Sequence, residues 1–237
     1  MKEGGRILAA IMEELKKQVK PGVTTRYLDK VAEDLVLKYR AKPSFRGYQG
    51  FPANLCTSVN QELVHCLPSD RKLKEGDIIS LDFGILFKGF HTDMAITVPV
   101  GEVSPEVLRL IRVTKKALKR GIKKAKPGNT FGDIGNTIQR YVEGQGYNVV
   151  RDLCGHGIGK NLHEDPQIPN YGRRKSGPKI KVGMTFCIEP MVIVGDWHLK
   201  KAKDGYGYQT RDNSLCCHFE HTIAVTENDC QVLTSLI

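Results

Sequence analysis

The chain has 237 residues, which suits one large domain or two fused halves, and a 40% hydrophobic content gives it enough for a core. Seven cysteines without any CxxC argue against a disulfide framework or a zinc finger and for a reducing, cytoplasmic setting, and no run approaches the ~18 apolar residues of a membrane span. The formal charge of +10 invites an anionic partner, although a solvated lysine-rich surface accounts for it as readily.

The opening segment, MKEGGRILAAIMEELKKQ, is too broken by charge for a secretory apolar region. Its Ile7, Leu8, Ile11, Met12, Leu15 and Val19 predict an amphipathic helix over 3–19, ended by Pro21-Gly22. Thr24 or Thr25 can cap a second helix carrying Tyr27, Leu28, Val31, Leu35 and Tyr39 on its apolar face. Residues 43–52 read as a Gly/Pro/aromatic loop, 55–59 as a short strand, and QELVHCLP carries His65. Ser104-Pro105 opens a third helix with Val107, Leu108, Ile111, Leu118 and Ile122 apolar; its other face holds Lys115, Lys116, Lys119, Lys123 and Lys124. A fourth helix buries Ile134, Ile138, Tyr141 and Val142. Residues 166–177 read as a polar, basic loop, 184–194 as a strand, 195–213 as an exposed hairpin or loop, and 216–225 as the last strand. Strand pairs backed by helices imply an α+β layout.

One stretch, KLKEGDIISLDFGILFKGFHTDM, organises the rest. Its apolar run from Ile78 to Phe87 predicts a buried strand with Asp82 in the middle. A lone carboxylate there is costly to desolvate, so pairing or a metal is expected. Asp93 follows eleven residues later, and Lys88-Gly89 between them reads as a hairpin turn. The stretch KLKEGDIISLDFG recurs as KIKVGMTFCIEPM, placing Asp82 on Glu189, and KPGVTT recurs as KPGNTF. Gly22 precedes Asp82 by 60 residues and Gly128 precedes Glu189 by 61. Common turn spellings could produce the echo by chance. The agreement in spacing suggests instead two homologous halves, roughly 1–100 and 105–237, related by a pseudo-twofold inside one domain spanning 1–237.

Asp82, Asp93, Glu189 and Glu220 all fall in strand-like settings, and His156 lies in the glycine-flanked turn GHGIG. Singly, a strand carboxylate is more often salt-bridged and a lone histidine more often structural. Together they form an oxygen/nitrogen set whose formal −4 two divalent cations would cancel. Two metals ~3.5–4 Å apart are a recognised hydrolytic device. The donors admit Mn, Fe, Co or Zn without choosing among them. His91 and His198 read as surface residues or neighbours of the site, and His218 shares strand parity with Glu220. The cysteines read as buried small residues, not nucleophiles.

The motifs KPGVTT, GFPANLCTSVNQELVHCLP, LDFG with TD eleven residues on, GHGIG followed by LHEDP, IEPM and FEHTIAVT resemble, in this order, the type I methionine aminopeptidases of the creatinase/aminopeptidase family. The resemblance implies the pita-bread fold, with curved antiparallel sheets in two pseudo-twofold halves. It implies removal of the initiator methionine from nascent protein N-termini when the second residue is small. Asp82, Asp93, His156, Glu189 and Glu220 become ligands of two metals, bridged by Asp93 and Glu220. Glu189 becomes the proton acceptor, His163 the oxyanion stabiliser, and His65 a residue that orients the peptide. The methionine pocket falls on Phe45, Tyr48, Phe51, Cys56, Leu162 and Tyr206. Leu162, Tyr206 and Phe45 depart from the residues usual there, as do Cys66 and Thr92 beside the site. The resemblance also suggests the lysine face with Arg173, Arg174 and Lys175 as a ribosome-docking surface, and a monomer is expected. Two other readings remain: a sister aminopeptidase cleaving before proline, and a non-catalytic module of this fold binding peptide, histone or nucleic acid.

Overall fold

The computed structural model describes residues 1–236. Helix α1 (Lys2–Gln18) buries Leu8, Ile11, Met12 and Leu15, one stripe at helical spacing, and ends with Lys16 and Lys17 beside its negative pole. Helix α2 (Thr25–Lys38) begins where the Thr24 hydroxyl accepts the Tyr27 N–H, and it buries Leu28, Ala32 and Val36. Tyr27 and Tyr39, expected on that face, are 48% and 39% exposed. Tyr27 stands in the first turn with its hydroxyl on Gln18, and Tyr39 is already the C-terminal cap. Helix α3 (Pro105–Ile122) is capped by Ser104, and α4 (Phe131–Glu143) by a reciprocal Thr130–Asp133 capping box. Leu108, also expected inside, is off the buried stripe of Leu110, Val113, Ala117 and Leu118.

Each helix pair backs one antiparallel sheet. In the first half, strand Ile78–Phe87 is the hub, pairing with Lys42–Pro43, Cys56–Val59 and Phe90–Pro99. Lys88 and Gly89, both at positive φ, make the two-residue turn that joins it to Phe90–Pro99. In the second half, five strands run in the order Cys230–Val232, His221–Val225, Thr185–Ile188, Gly155–Gly157 and Glu164–Ile168. Two three-stranded sheets complete the molecule. One joins Asn148–Val149, Met191–Ile193 and Cys216–His218; the other joins Glu62–Val64, Tyr208–Thr210 and Leu199–Lys201.

The halves obey the pseudo-twofold at the level of single bonds. Thr24 bridges Lys72, and Thr130 bridges Lys179. The Leu73 N–H donates to Val23 and the Ile180 N–H to Asn129; the Gly76 N–H donates to Val100 and the Gly183 N–H to Val225. Gly22 and Gly128, at φ of 87° and 89°, turn the chain at equivalent places where an L side chain is strained.

Several elements differ from the sequence expectation. The strand expected over 184–194 is two strands, broken at Glu189-Pro190, because Pro190 has no N–H to continue a ladder. The strand expected over 216–225 is likewise split at Phe219-Glu220, and Cys230–Val232 follows it, so it is not the last. Both breaks let the chain pass from one sheet to another, and both leave an acid at the crossing. The loop expected from 166 is strand as far as Ile168. Much of the 195–213 segment is a hairpin paired onto Glu62–Val64.

At Gly135 in α4, an added Cβ would collide with the carbonyl oxygens of Tyr171 and Pro169. Between these residues Asn170 donates its side-chain N–H to the Glu189 carbonyl, 2.9 Å away. Gly135→Ala is therefore predicted to lower stability by about 1–3 kcal/mol, the usual cost of overpacking, even though alanine is the better helix former. Thermal unfolding checks this, and a variant at least as stable as the parent contradicts the close approach.

Candidate metal centre and active-site cavity

The hairpin register sets Asp82 opposite Ala95 and Asp93 opposite Gly84, so the two acids are diagonal neighbours on one face. Asp93 is fixed from the other half of the molecule. Its N–H donates to the Thr222 hydroxyl at 2.8 Å, and that hydroxyl donates back to the Asp93 carbonyl at 2.8 Å. One Asp93 carboxylate oxygen accepts the Met94 N–H at 2.9 Å. In the second half His221 pairs with Ile188, so Glu220 and Glu189 lie side by side just beyond the last paired residues. The Glu220 N–H donates to the Ala95 carbonyl at 2.9 Å, closing the two halves on each other.

His156 stands in the neighbouring strand Gly155–Gly157. Its Nδ1 lies 2.9 Å from the Gly157 carbonyl, so this nitrogen carries the proton. Nε2 is left with its lone pair toward the acids, 3.8 Å from both Glu189 Oε1 and Glu220 Oε1. Burial is the main cause that pushes its pKa down to about 3, with His163 adding to it, so the ring stays neutral and able to ligate.

All four acids are at least 90% buried, and among the described residues none pairs with a lysine or arginine; the nearest basic side chains are the neutral imidazoles of His156, beside Glu189 and Glu220, and His218, beside Glu189. Burial first, and each other's charge second, hold Asp82, Glu189 and Glu220 well above the ordinary carboxylate range. Burial raises Asp93 to about 7, its bond from Met94 opposing the rise. Asp82 Oδ1 and Glu220 Oε1 have no hydrogen-bond partner at all. Divalent cations fit this arrangement: they would meet the orphaned oxygens and replace the missing positive charge. Donor atoms cluster as Asp82, Asp93 and Glu220; as Glu189, His218 and Glu220; and as His156, Cys187 and Glu220, so Glu220 is common to every group. Cys187 is buried and its thiol is pushed well up by burial and by the Glu220 and Asp93 charges, which keeps it protonated.

The acids floor a cavity of about 550 Å3. Phe45, Tyr48, Phe51, Cys56, Leu162 and Tyr206 line it, together with His65, His163 and all five expected ligands. Every residue singled out in the sequence as part of a site thus borders one space. Phe51 packs edge-on against Phe45 and Tyr206, at ring distances of 6.5 and 5.7 Å. His163 lies 4.2 Å from the His156 ring, and its Nδ1 is 2.8 Å from the Tyr48 hydroxyl. His65 projects into the cavity from a left-handed backbone, φ 59°, a conformation costing a non-glycine residue on the order of 1–3 kcal/mol. Its ring is open to the cavity, yet burial first, then the neighbouring His163 ring and the Lys201 cation, push its pKa down to about 4.

Tyr208, Lys201, Cys154, Asp152 and Gln167 also line the cavity and were not singled out in the sequence. Tyr208 and Lys201 arrive on the hairpin that pairs with Glu62–Val64, a contact without a local signal. Thr222 was legible in principle, two residues past Glu220 on the same strand face. His91 is partly buried and hydrogen-bonds Ser44, whereas His198 is exposed and pairs with Asp196. A larger, shallow groove of about 730 Å3 along α1 contains none of the clustered acids.

A model of metallopeptidase family M24 matches residues 1–227. The chain belongs to metallopeptidase family M24. Methionine aminopeptidase 1 of Bacillus subtilis is 49% identical over 234 residues, covering 99% of this chain and 94% of that protein. The Escherichia coli K12 methionine aminopeptidase is 41% identical over 236 residues, covering 99% and 89%. The crystal structure of the Thermotoga maritima methionine aminopeptidase superposes with a TM-score of 0.97 at 45% identity, covering 99% of this chain and 95% of that one. The Pyrococcus furiosus prolidase shares the fold at a TM-score of 0.78 and 22% identity, covering 99% of this chain and 62% of that one. The M24 chain therefore has the α+β pita-bread fold that its motifs implied, and its buried acids form a cluster of possible ligands for the divalent metal that a metallopeptidase binds.

Asp93 gives this M24 site a pH signature in the metal-free protein. Its folded pKa, about 7, lies above the ~4 of an unfolded aspartate, so the folded state holds more protons between these values. The stability that Asp93 contributes is complete below ~4 and lost as pH rises toward its folded pKa. In EDTA, Asp93→Asn is predicted to gain stability relative to the parent as pH is raised across that window, read by urea unfolding. Added divalent cation should favour the parent instead. A pH-independent difference contradicts the assignment.

Proposed function

We propose that this M24 chain is a methionine aminopeptidase that removes N-terminal methionine from proteins whose second residue is small. The observation that supports this most directly is a cavity with unpaired buried acids at one end and an apolar aromatic slot at the other. Asp82, Asp93, His156, Glu189 and Glu220 would hold the divalent cations. Cations held there supply Lewis acidity and a water of lowered pKa, the chemistry common to dinuclear hydrolases. The working unit is one domain over 1–237, whose halves, about 1–100 and 105–237, supply different ligands to the same centre. Which of Mn, Fe, Co or Zn serves in the cell is set by availability as much as by donors.

Glu189, a buried carboxylate held above its usual range, accepts the proton of the attacking water and passes it to the leaving amine. Tyr48 donates its O–H to His163 Nδ1, which leaves the Nε2–H free to meet the developing oxyanion. His65, fixed by its backbone, orients the peptide from the opposite wall. The methionine thioether lies among Tyr48, Phe51, Cys56, Leu162, Phe45 and Tyr206, where sulfur–ring contacts are favourable.

His163→Ala is predicted to lower kcat by roughly 10²–10³, as loss of one oxyanion donor does, with metal content unchanged. Loss of a metal equivalent on elemental analysis would make His163 a ligand instead.

With the amine held at the acids and methionine in its slot, the second side chain is confined between the His65 and His163 walls. A bulky residue displaces the carbonyl, and a shift of ~1 Å costs ~10²-fold in rate. Hydrolysis of Met-Ala-Ser should therefore exceed that of Met-Leu-Ser by about that factor in kcat/KM. Equal values, or preferred cleavage of a Xaa-Pro peptide, would contradict this reading and favour the proline-specific alternative.

Lys115, Lys116, Lys119, Lys123, Lys124, Arg173, Arg174 and Lys175 are all exposed, and a basic surface of this kind gives sequence-independent phosphate affinity. This surface docks the enzyme on ribosomal RNA near emerging chains. Co-sedimentation with ribosomes should weaken steeply with salt; binding indifferent to salt, or absent at low salt, rules the docking out.

A further inference from the structure

The pseudo-twofold places a sixth residue against the acid cluster. The Thr222 hydroxyl brackets the Asp93 backbone, accepting its N–H and donating to its carbonyl. The Thr97 hydroxyl does the same to His218, accepting its N–H at 3.0 Å and donating to its carbonyl at 2.9 Å. Thr97 is four residues after Asp93, and Thr222 is four after His218. His218 therefore occupies, in the second half, the place that Asp93 occupies in the first.

The His218 side chain is 1% exposed, and neither ring nitrogen has a hydrogen-bond partner. Its Nε2 lies 3.5 Å from Glu189 Oε2, while Glu189 Oε1 faces His156 Nε2 at 3.8 Å. The Glu189 carboxylate thus sits between two imidazoles. A neutral imidazole offers one donor and one acceptor. If Nε2 gave its lone pair to a cation, the proton would sit on Nδ1 as a buried donor with no partner. If Nε2 carries the proton, it faces the carboxylate and only an acceptor is left unpaired, the less costly of the two arrangements. The backbone, clamped to Thr97, keeps the ring in place without help from its nitrogens.

We propose that His218 is a positioning residue: its Nε2–H donates to Glu189 Oε2, fixes the carboxylate's orientation, and so sets how tightly the site holds divalent cations. This rests on the reading of Glu189 as a ligand. It assigns no contact between His218 and substrate.

The test is Co(II) binding to the metal-stripped full chain, followed by calorimetry and by the ligand-field absorption of the bound ion. Glutamine can place an amide N–H where Nε2 stands; asparagine places one near Nδ1; leucine places none. His218→Leu and His218→Asn should weaken Co(II) binding by about 10–100-fold, the usual effect of losing a hydrogen bond to a ligand, and alter the absorption bands. His218→Gln should keep both near the parent's. Thermal unfolding of the metal-free variants shows which are folded; if the leucine variant is not, the asparagine–glutamine pair decides. Parent-like binding in the asparagine variant, or binding in the glutamine variant as weak as in asparagine, overturns the proposal. Glu189→Gln separates the two levels. If it binds Co(II) like the parent, the reading of Glu189 as a ligand fails; if it binds poorly while the His218 variants do not, only the role of His218 fails.

Discussion

Four carboxylates buried without an ammonium or guanidinium partner are the constraint on which this structure turns. Desolvating an ionised carboxylate costs several kcal/mol, and among the described residues no cation offsets it; the Met94 N–H on Asp93 does so only in part. The scaffold instead fixes the groups around the charge. Thr222 holds the Asp93 backbone, Asn170 the Glu189 carbonyl, and Gly157 the proton of His156. Each bond constrains position and leaves carboxylate oxygens or an imidazole lone pair facing the centre. A core that is locally unfavourable by itself and rigidly held is what high-affinity cation binding requires.

The same constraint explains why the centre lies between the halves. Each half can present an acid from its own buried strand, but one half alone would present too few donors for a dinuclear centre. Bringing the sheets edge to edge required backbone polar groups to be satisfied across the junction, and the Glu220 N–H on Ala95 and the paired Thr97 and Thr222 hydroxyls do this. Breaks at Pro190 and Phe219 then turn the chain out of the plane, so that Glu189 and Glu220 point at the hairpin acids and not along their own sheet. Most of the aromatic slot follows from the first half, and the second half adds Leu162 and Tyr206. Cys56 pairs with Asp82, and Gly84 leaves room for Phe45, whose ring a Cβ would approach to 2.9 Å.

The parts of the fold written locally were readable in the sequence. The apolar run around Asp82, the Lys88-Gly89 turn and the threonine cap of α2 each carry their own chemistry over a few residues. The repeat of KPG and K-x-K-x-G was readable because equal turns need equal glycines. The sheet switches at Glu189 and Glu220 were not, since an apolar run reads as one strand unless something breaks its ladder. Pro190 was a visible signal for one break; Phe219 gave none. Tyr208 and Lys201 were hidden because they reach the cavity through pairing with Glu62–Val64, a contact about 140 residues away in the chain. Strand parity brought His218 near Glu220, but only the bracketing Thr97 hydroxyl makes it the counterpart of Asp93.

On our proposal the unpaired acids bind two cations, which together with the apolar slot hydrolyse a methionyl peptide. The most direct measurement strips the protein with EDTA, restores Co(II) or Mn(II) in steps, and follows bound metal and Met-Ala-Ser hydrolysis in the same samples. Binding should saturate at about two equivalents, with hydrolysis absent in the stripped protein and appearing as the site fills. A folded protein that takes up no metal, or that cleaves the peptide equally well without it, would contradict the account.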